Sequence, residues 1–125
     1  MEEEAARLME NFSGQVGQNP AAYPQLLTAL DFALGPSSEI VLAGTADDPV
    51  IRQMIQPIYR QFLPNKVVAL HPPGEAGRAI EGLVPFLEGQ GMVDGRPAAY
   101  LCRNYTCDLP TTIVEELKKL LEESP

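Results

Sequence analysis

The sequence predicts a small three-layer α/β domain, with a mostly parallel sheet of at least three strands preceded by an αα-hairpin. The first observation is a continuous apolar run from Ile40 to Ala43, typical of a strand buried on both faces. The second is a helical apolar repeat after Gly44, and the third is another strand-like segment, Lys66 to His71. Strand-helix-strand units are almost always right-handed and parallel, so we expect residues 39–71 to form one.

Apolar residues at helical spacing predict two helices before the first strand. The first ends before Ser13, residues 13–19 break it, and the second runs from Pro20 to Leu34. We therefore expect a helical hairpin over residues 1–35 and an α/β domain over residues 36–125. The hairpin either ends a preceding helical domain or packs on one face of the sheet, and both alternatives remain open.

The clearest helical pattern lies between the first two strands. The loop before it, Gly44 to Asp48, supplies a helix cap, and Pro49 suits the first turn. Apolar residues then repeat at spacings of three and four as far as Leu63. Since Pro57 lies inside the helix and cannot donate a backbone hydrogen bond, we expect a kink or break near residues 53–56.

The remainder of the chain predicts a third parallel strand and a final helix. A loop over residues 72–77 and a short helix around residues 78–83 precede a turn at Asp94-Gly95 and the strand Ala98 to Cys102. Thr112 and Glu115 have the spacing of a capping box for the last helix. We expect the first strand to be central in the sheet.

Composition excludes several functional classes. The 125 residues carry a formal charge of −8, which disfavours nucleic acid and anionic membrane surfaces. No apolar run approaches the roughly 20 residues of a membrane span, and the start lacks a basic signal region, so we expect a cytoplasmic protein. With His71 as the one histidine, we expect no metal and no cofactor.

In an open parallel sheet, ligands bind beyond the carboxyl ends of the strands. The loops concerned are Gly44 to Asp48, His71 to Glu75 and Cys102 to Pro110, which we expect at one edge. The first loop has one glycine and two carboxylates, a composition that favours a helix cap over a phosphate site. A lone histidine such as His71 is compatible with either an inert or a basic role.

Cys102 and Cys107 are the chemically distinctive residues of the chain. Four residues separate them, which matches neither the Cys-x-x-Cys of dithiol oxidoreductases nor half of a zinc-binding set. We expect thiols in the cytosol, with Cys102 in the core and Cys107 in a loop. A redox-responsive pair or a disulfide remains an alternative. The candidate redox or loop-site residues are Cys102, Cys107, Arg103, Asn104, Tyr105 and Pro110.

The pattern Tyr-x-Cys-x-x-x-x-Cys-x-x-Pro from Tyr100 to Pro110, together with residues 39–44 and 62–68, resembles the C-terminal domain of the spermatogenesis-associated, YyaL-like thioredoxin-domain proteins. This resemblance implies a large protein with an N-terminal thioredoxin-like domain and a central helical toroid similar to six-hairpin glycosidases and N-acylglucosamine 2-epimerases. Of the residues here, Cys102, Cys107 and Pro110 match the tail pattern. The resemblance assigns none of them a role, and no catalytic residue is carried over.

These observations predict a non-catalytic accessory or interaction domain, the C-terminal fragment of such a protein, whose partners are the remaining parent domains. Exposed helix faces would also favour a homo-oligomer. The alternative is a thiol–disulfide redox-responsive domain that uses Cys102 and Cys107. Thus we do not expect the isolated domain to be an enzyme.

Overall fold

In the computed structural model, the strands and helices form two units, Met1–Pro36 and Ser37–Pro125. The structure describes residues 2–103 and 106–123. Among those residues, no helix is both long and apolar enough to cross a membrane.

The first unit is helical. Helix α1 spans Glu2–Gln18, a 3-10 turn spans Pro20–Ala22, and helix α2 spans Pro24–Leu34. The predicted break across residues 13–19 is wrong, because α1 continues almost to its end. Each glycine in that stretch costs a helix only about 1 kcal/mol, whereas proline is far more disruptive, and the chain departs from the helix near Pro20.

Tyr23, at the start of α2, connects back to α1. Its hydroxyl donates to Gln15 Oε1 over 2.8 Å, and its ring centroid lies 6.2 Å from that of Phe12. This residue therefore fixes the 3-10 turn against the preceding helix.

The second unit contains a four-stranded sheet in the order β2-β1-β3-β4. Strands β1 (Ser38–Ala43) and β2 (Lys66–His71) are parallel, as the strand-helix-strand pattern predicts. Strand β3 (Ala98–Arg103) runs antiparallel to β1, and β4 (Thr106–Cys107) runs antiparallel to β3. The interior position of β1 agrees with the prediction.

The prediction of a mostly parallel sheet is wrong, since the sheet is mixed. Residues 72–97 cross one face and enter β3 at the edge where β1 and β2 end, so that Ala98 pairs with Ala43. A strand that starts beside the end of its neighbour must run antiparallel to it. The burial of Ala98 to Cys102 on both faces of the sheet does not indicate in which direction β3 runs relative to β1.

One face of the sheet is covered by helices α3 (Pro49–Arg60) and α5 (Val114–Glu122). Helix α3 is continuous through Pro57, so the predicted break is absent. The main core lies between these helices and the sheet and consists of Ile40, Leu42, Ile51, Met54, Ile58, Ala99, Leu101, Leu117 and Leu121.

The opposite face is covered by the segment between β2 and β3. Helix α4 spans Glu75–Glu81, three residues earlier than predicted, and a 3-10 turn at Pro85–Leu87 follows it. Leu87 is fully buried, and the Tyr100 hydroxyl donates to Gly91 O over 2.7 Å. This covering places residues 85–91 over the sheet near the cysteines.

Candidate functional site

The two cysteines lie opposite each other on β3 and β4. Cys102 is 3 % exposed in the interior strand, whereas Cys107 is exposed on the edge strand. The Asp108 amide donates to Leu101 O over 2.9 Å, beside the pair, which makes Cys102 and Cys107 a non-hydrogen-bonded pair of the antiparallel ladder. Side chains are closest at such positions.

Cys102 and Cys107 form a disulfide, so the expectation of free thiols is wrong for this structure. Their Cα atoms are 3.8 Å apart, which is closer than the usual separation of about 4.4–6.8 Å between bridged cysteines. The expectation of thiols came from the predicted compartment, which carries no information on strand pairing. The predicted burial of Cys102 is confirmed.

Gln90 contacts both sulfur atoms. Its side-chain Nε2 lies 4.0 Å from Cys102 Sγ and 3.9 Å from Cys107 Sγ, and it donates to Phe86 O over 3.0 Å. Gly89, with φ of +82°, allows the chain to turn directly before this residue. Gln90 Oε1 is buried and has no hydrogen-bond partner among the described residues.

The backbone of Gln90 joins a second polar group, which contains His71 at the end of β2. His71 is 7 % exposed, its Nδ1 lies 2.7 Å from Gln90 O, and its Nε2 lies 3.1 Å from Glu81 Oε1. A carbonyl oxygen can only accept, so Nδ1 carries hydrogen.

Two neighbouring features define the surroundings of His71. A Cβ on Gly77 would lie 2.2 Å from Pro72 O and 3.1 Å from His71 Nε2, so only glycine fits there. A cavity of about 260 Å³ adjoins the pair and is lined in part by Arg78 and Met92. Sequence reasoning missed this group, because Glu81 and Gln90 approach His71 only through the tertiary fold.

The three predicted loops do not share an edge of the sheet. Since β3 is antiparallel, its carboxyl end lies opposite the edge that carries Gly44 to Asp48 and His71 to Glu75. The prediction of one common ligand-binding edge is therefore wrong.

The first of these loops acts as the predicted cap. Asp48 Oδ1 accepts from the Val50 amide over 2.7 Å at the start of α3. The hydrogen bond from the Thr45 side chain, foremost among several interactions, lowers the pKa of the neighbouring Asp47. Both carboxylates thus have local structural contacts.

Arg103 points toward α5, away from the disulfide. Its Nη2 donates to Leu120 O over 2.7 Å and lies 3.9 Å from Asp108 Oδ2. A cation near carbonyls of the last helical turn stabilises the helix end. Pro110 is exposed, and Asn104 and Tyr105 lie outside the described residues, so a redox or binding role for these candidates stays a prediction.

Thr111 begins the approach to α5. It pairs with Ala99 through two backbone hydrogen bonds, and its hydroxyl donates to Glu116 Oε2 over 2.6 Å. The hydroxyl also accepts from the Ile113 amide over 3.1 Å. The predicted capping box of Thr112 and Glu115 is therefore wrong: the N-cap of α5 is Ile113, which makes no side-chain capping hydrogen bond.

No three His, Cys, Asp or Glu side chains within residues 2–103 and 106–123 are grouped so that they could hold a metal ion. The geometry instead offers a disulfide with a neighbouring amide donor, and a buried histidine in contact with a half-buried carboxylate beside a small cavity.

The chain is similar to segments of much longer proteins. It is 29% identical over 114 residues to human spermatogenesis-associated protein 20, a match that covers 91% of this chain and 14% of that protein. The rat protein of the same name is 28% identical over 116 residues, covering 93% and 15%. An uncharacterized protein of Caenorhabditis elegans is 25% identical over 122 residues, covering 97% and 16%.

These relatives confirm the resemblance to the spermatogenesis-associated proteins that the Tyr100 to Pro110 segment carries. The chain spans about one-seventh of the length of the curated relatives it matches. No family model matches the chain, and no solved structure matches it.

Proposed function

We propose that this chain acts as a non-catalytic accessory domain of a larger protein of the spermatogenesis-associated family, at its C-terminus. The observation that carries this proposal is the unequal coverage of the matches. They include 91% of this chain but 14% of the human relative. A thioredoxin-like domain and a helical toroid elsewhere in the parent protein are what the family resemblance implies.

The contacts that polar side chains make in and beside the predicted loops support a structural role for this domain. Asp48, Arg103 and Thr111 stand in or beside the predicted loops, where reactive groups would be placed. All three bind helix ends or backbone groups, as described above. Residues that cap helices are not free to act on a substrate.

Exposed apolar side chains favour contacts with the remaining parent domains. In the sheet unit, Phe62 is 89% exposed, Leu83 is 83% exposed and Leu109 is 88% exposed. In the helical unit, α2 buries none of its described side chains, which fits the proposal that it belongs with further helices. Self-association through these residues is the alternative.

The test is the behaviour of the isolated chain. We expect no turnover of disulfide, phosphate-ester or glycoside substrates above a buffer blank, while far-UV circular dichroism shows a folded protein. Sedimentation velocity separates the two kinds of association, since a monomer favours parent domains and a dimer favours self-association. Robust catalysis by the folded chain would refute the accessory role.

The Cys102–Cys107 disulfide favours a second function, a redox-responsive element. The bond closes a loop with a sequence separation of only 5, and loop-closure entropy gives such a loop about 2 kcal/mol, against nearly 5 kcal/mol for about 100 residues. Strand β3 already pairs with β1 along its whole length. As a staple the bond therefore contributes less than a long-range disulfide would, which favours a role in its opening and closing.

Thiol titration of the native protein tests the redox element. We expect two thiols to appear on mild reduction and to disappear on reoxidation, with the circular dichroism spectrum unchanged. A disulfide that resists reduction until the protein unfolds would contradict this function, while leaving the accessory role intact.

A further inference from the structure

We propose that the disulfide is a substrate site for an external dithiol, which attacks Cys107 Sγ and expels Cys102 as the leaving thiolate beside Gln90. This inference rests on the redox-responsive function above and adds the chemical class of the partner, the sulfur attacked and the group that assists.

Solvent access determines which of the two sulfurs the reductant attacks. A thiolate attacks a disulfide along the S–S axis, from the side opposite the leaving sulfur, and the accessible sulfur reacts faster. Cys107 is exposed on an edge strand, whereas Cys102 is 3 % exposed between β1 and β4. The path to Cys107 therefore opens to solvent, and the corresponding path to Cys102 crosses the packed interior.

The leaving group then requires stabilisation, because burial of a thiolate without a donor is costly. Gln90 Nε2 has two hydrogens, one of which is used by Phe86 O at 3.0 Å. The other is available to the sulfurs, since Nε2 lies 4.0 Å from Cys102 Sγ and 3.9 Å from Cys107 Sγ. It can therefore follow the negative charge to Cys102 Sγ when the bond breaks. The Phe86 bond also fixes the orientation of the amide, so that the donor and not Oε1 faces the disulfide.

A nearby carboxylate makes this donor more important. Glu39 is the β1 residue paired with Cys102, so the two side chains share a face of the sheet. Its carboxylate accepts from Ser37 Oγ over 2.9 Å. A negative charge there opposes formation of a second one on Cys102. Arg103 lies on the other face of the sheet and donates to Leu120 O, so its positive charge does not offset the negative charge of the Glu39 carboxylate.

The exchange balances with a dithiol. Its thiolate forms a bond to Cys107 Sγ, the Cys102–Cys107 bond breaks, and the electron pair goes to Cys102 Sγ, which takes a proton from water. The second thiol of the reductant, as thiolate, then attacks the reductant's first sulfur, which is bonded to Cys107 Sγ. That bond breaks, and Cys107 leaves as a thiolate. Two electrons pass to the protein, and the reductant becomes a disulfide.

A monothiol is a poorer partner for a geometric reason. The freed Cys102 lies directly opposite Cys107, so it attacks the mixed disulfide at a high effective concentration and expels the monothiol. A dithiol competes with this return reaction, because its second thiol is also intramolecular.

The experiment identifies the sulfur that takes the adduct. The oxidised, folded chain is mixed with reduced glutathione, quenched rapidly in acid, alkylated and digested, and the two cysteines are distinguished by mass spectrometry. We expect glutathione on Cys107 at least about tenfold more often than on Cys102, in line with their access. Dithiothreitol should reduce the protein more completely than glutathione at equal thiol concentration.

Variants test whether Gln90 stabilises the Cys102 thiolate as it leaves. Gln90→Leu removes the donor and should slow reduction by dithiothreitol roughly three- to tenfold, while Glu39→Gln should speed it roughly two- to fivefold. Gln53→Leu, at an exposed position of α3, is the matched control and should react at the original rate. Thermal unfolding of each variant, and Gln90→Met as a second replacement, separate loss of the donor from loss of structure.

The outcomes distinguish this inference from the function it rests on. Glutathione found mainly on Cys102 would overturn the site, although the disulfide would remain redox-responsive. An original rate in both folded Gln90 variants would overturn the role of Gln90. No reduction of the native protein by any thiol would overturn the redox function and this inference together.

Discussion

Opening the Cys102–Cys107 disulfide should lower stability by a small, calculable amount. The sequence separation of 5 gives a loop-closure contribution of about 2 kcal/mol to the free energy of unfolding. With an m-value of about 1–3 kcal/mol/M for a small protein in urea, the midpoint should fall by roughly 1–2 M. Cys107→Ser should produce the same change, because residue 107 is exposed and serine adds no buried polar group.

The sheet should remain folded after this change. Strand β3 pairs with β1 from Ala98 to Arg103, whereas β4 pairs with β3 through Cys107 and Thr106 alone. Loss of the bond therefore acts first on β4. Hydrogen–deuterium exchange should be faster at the Asp108 amide, which bonds to β3, with β1 still protected.

The assay is urea unfolding followed by far-UV circular dichroism, with exchange at the β1 amides as the measure for the sheet unit. Reductant added to Cys107→Ser is the control and should change nothing. Global unfolding on reduction, or equal stability of the oxidised and reduced forms, would refute this reasoning.

Three further predictions concern single positions. Gly77→Ala places a methyl group 2.2 Å from a backbone oxygen and should cost more than about 2 kcal/mol of stability. In the control Gly82→Ala, the new carbon would lie 3.5 Å from its nearest neighbour, and the cost should be less than about 1 kcal/mol. Equal melting temperatures of the two variants would contradict the close packing at Gly77. Asp48→Ala removes the α3 cap and should cost about 1 kcal/mol in urea unfolding, so an unchanged midpoint would count against the cap. Burial raises the pKa of Tyr100 above its ordinary 10.0, so the folded state holds this proton more tightly, and stability should fall as pH rises above about 10. Tyr100→Phe should weaken that fall, and an unaltered pH profile would argue against the shift.

The sequence predicts the elements whose signals are local. The apolar run at Ile40 and the segment ending at His71 identify β1 and β2, and the repeat after Pro49 identifies α3. Each of these depends on periodicity and capping within a few residues. The turn at Asp94-Gly95 is likewise confirmed, with a positive φ at both residues.

The errors involve the path of the chain in space. The direction of β3 depends on where residues 72–97 return to the sheet, which apolar content does not specify. Strand β4 has 2 residues, too few for a periodic signal, and without it the sequence left the disulfide as one alternative to free thiols. The contacts of Gln90 with His71 and the cysteines likewise join residues far apart in the chain.

Among the described residues, the outer side of β3 is closed by β4, by the hydrogen bond from the Asp108 amide to Leu101 O, and by the two hydrogen bonds between Ala99 and Thr111. A strand whose outer N–H and C=O groups lose their partners becomes a template for pairing with a strand of another molecule. The disulfide keeps β4 in place, so its redox state sets how much of this sheet edge is open to intermolecular β-pairing. We therefore expect reducing conditions to make this edge of the sheet more open to pairing with another molecule.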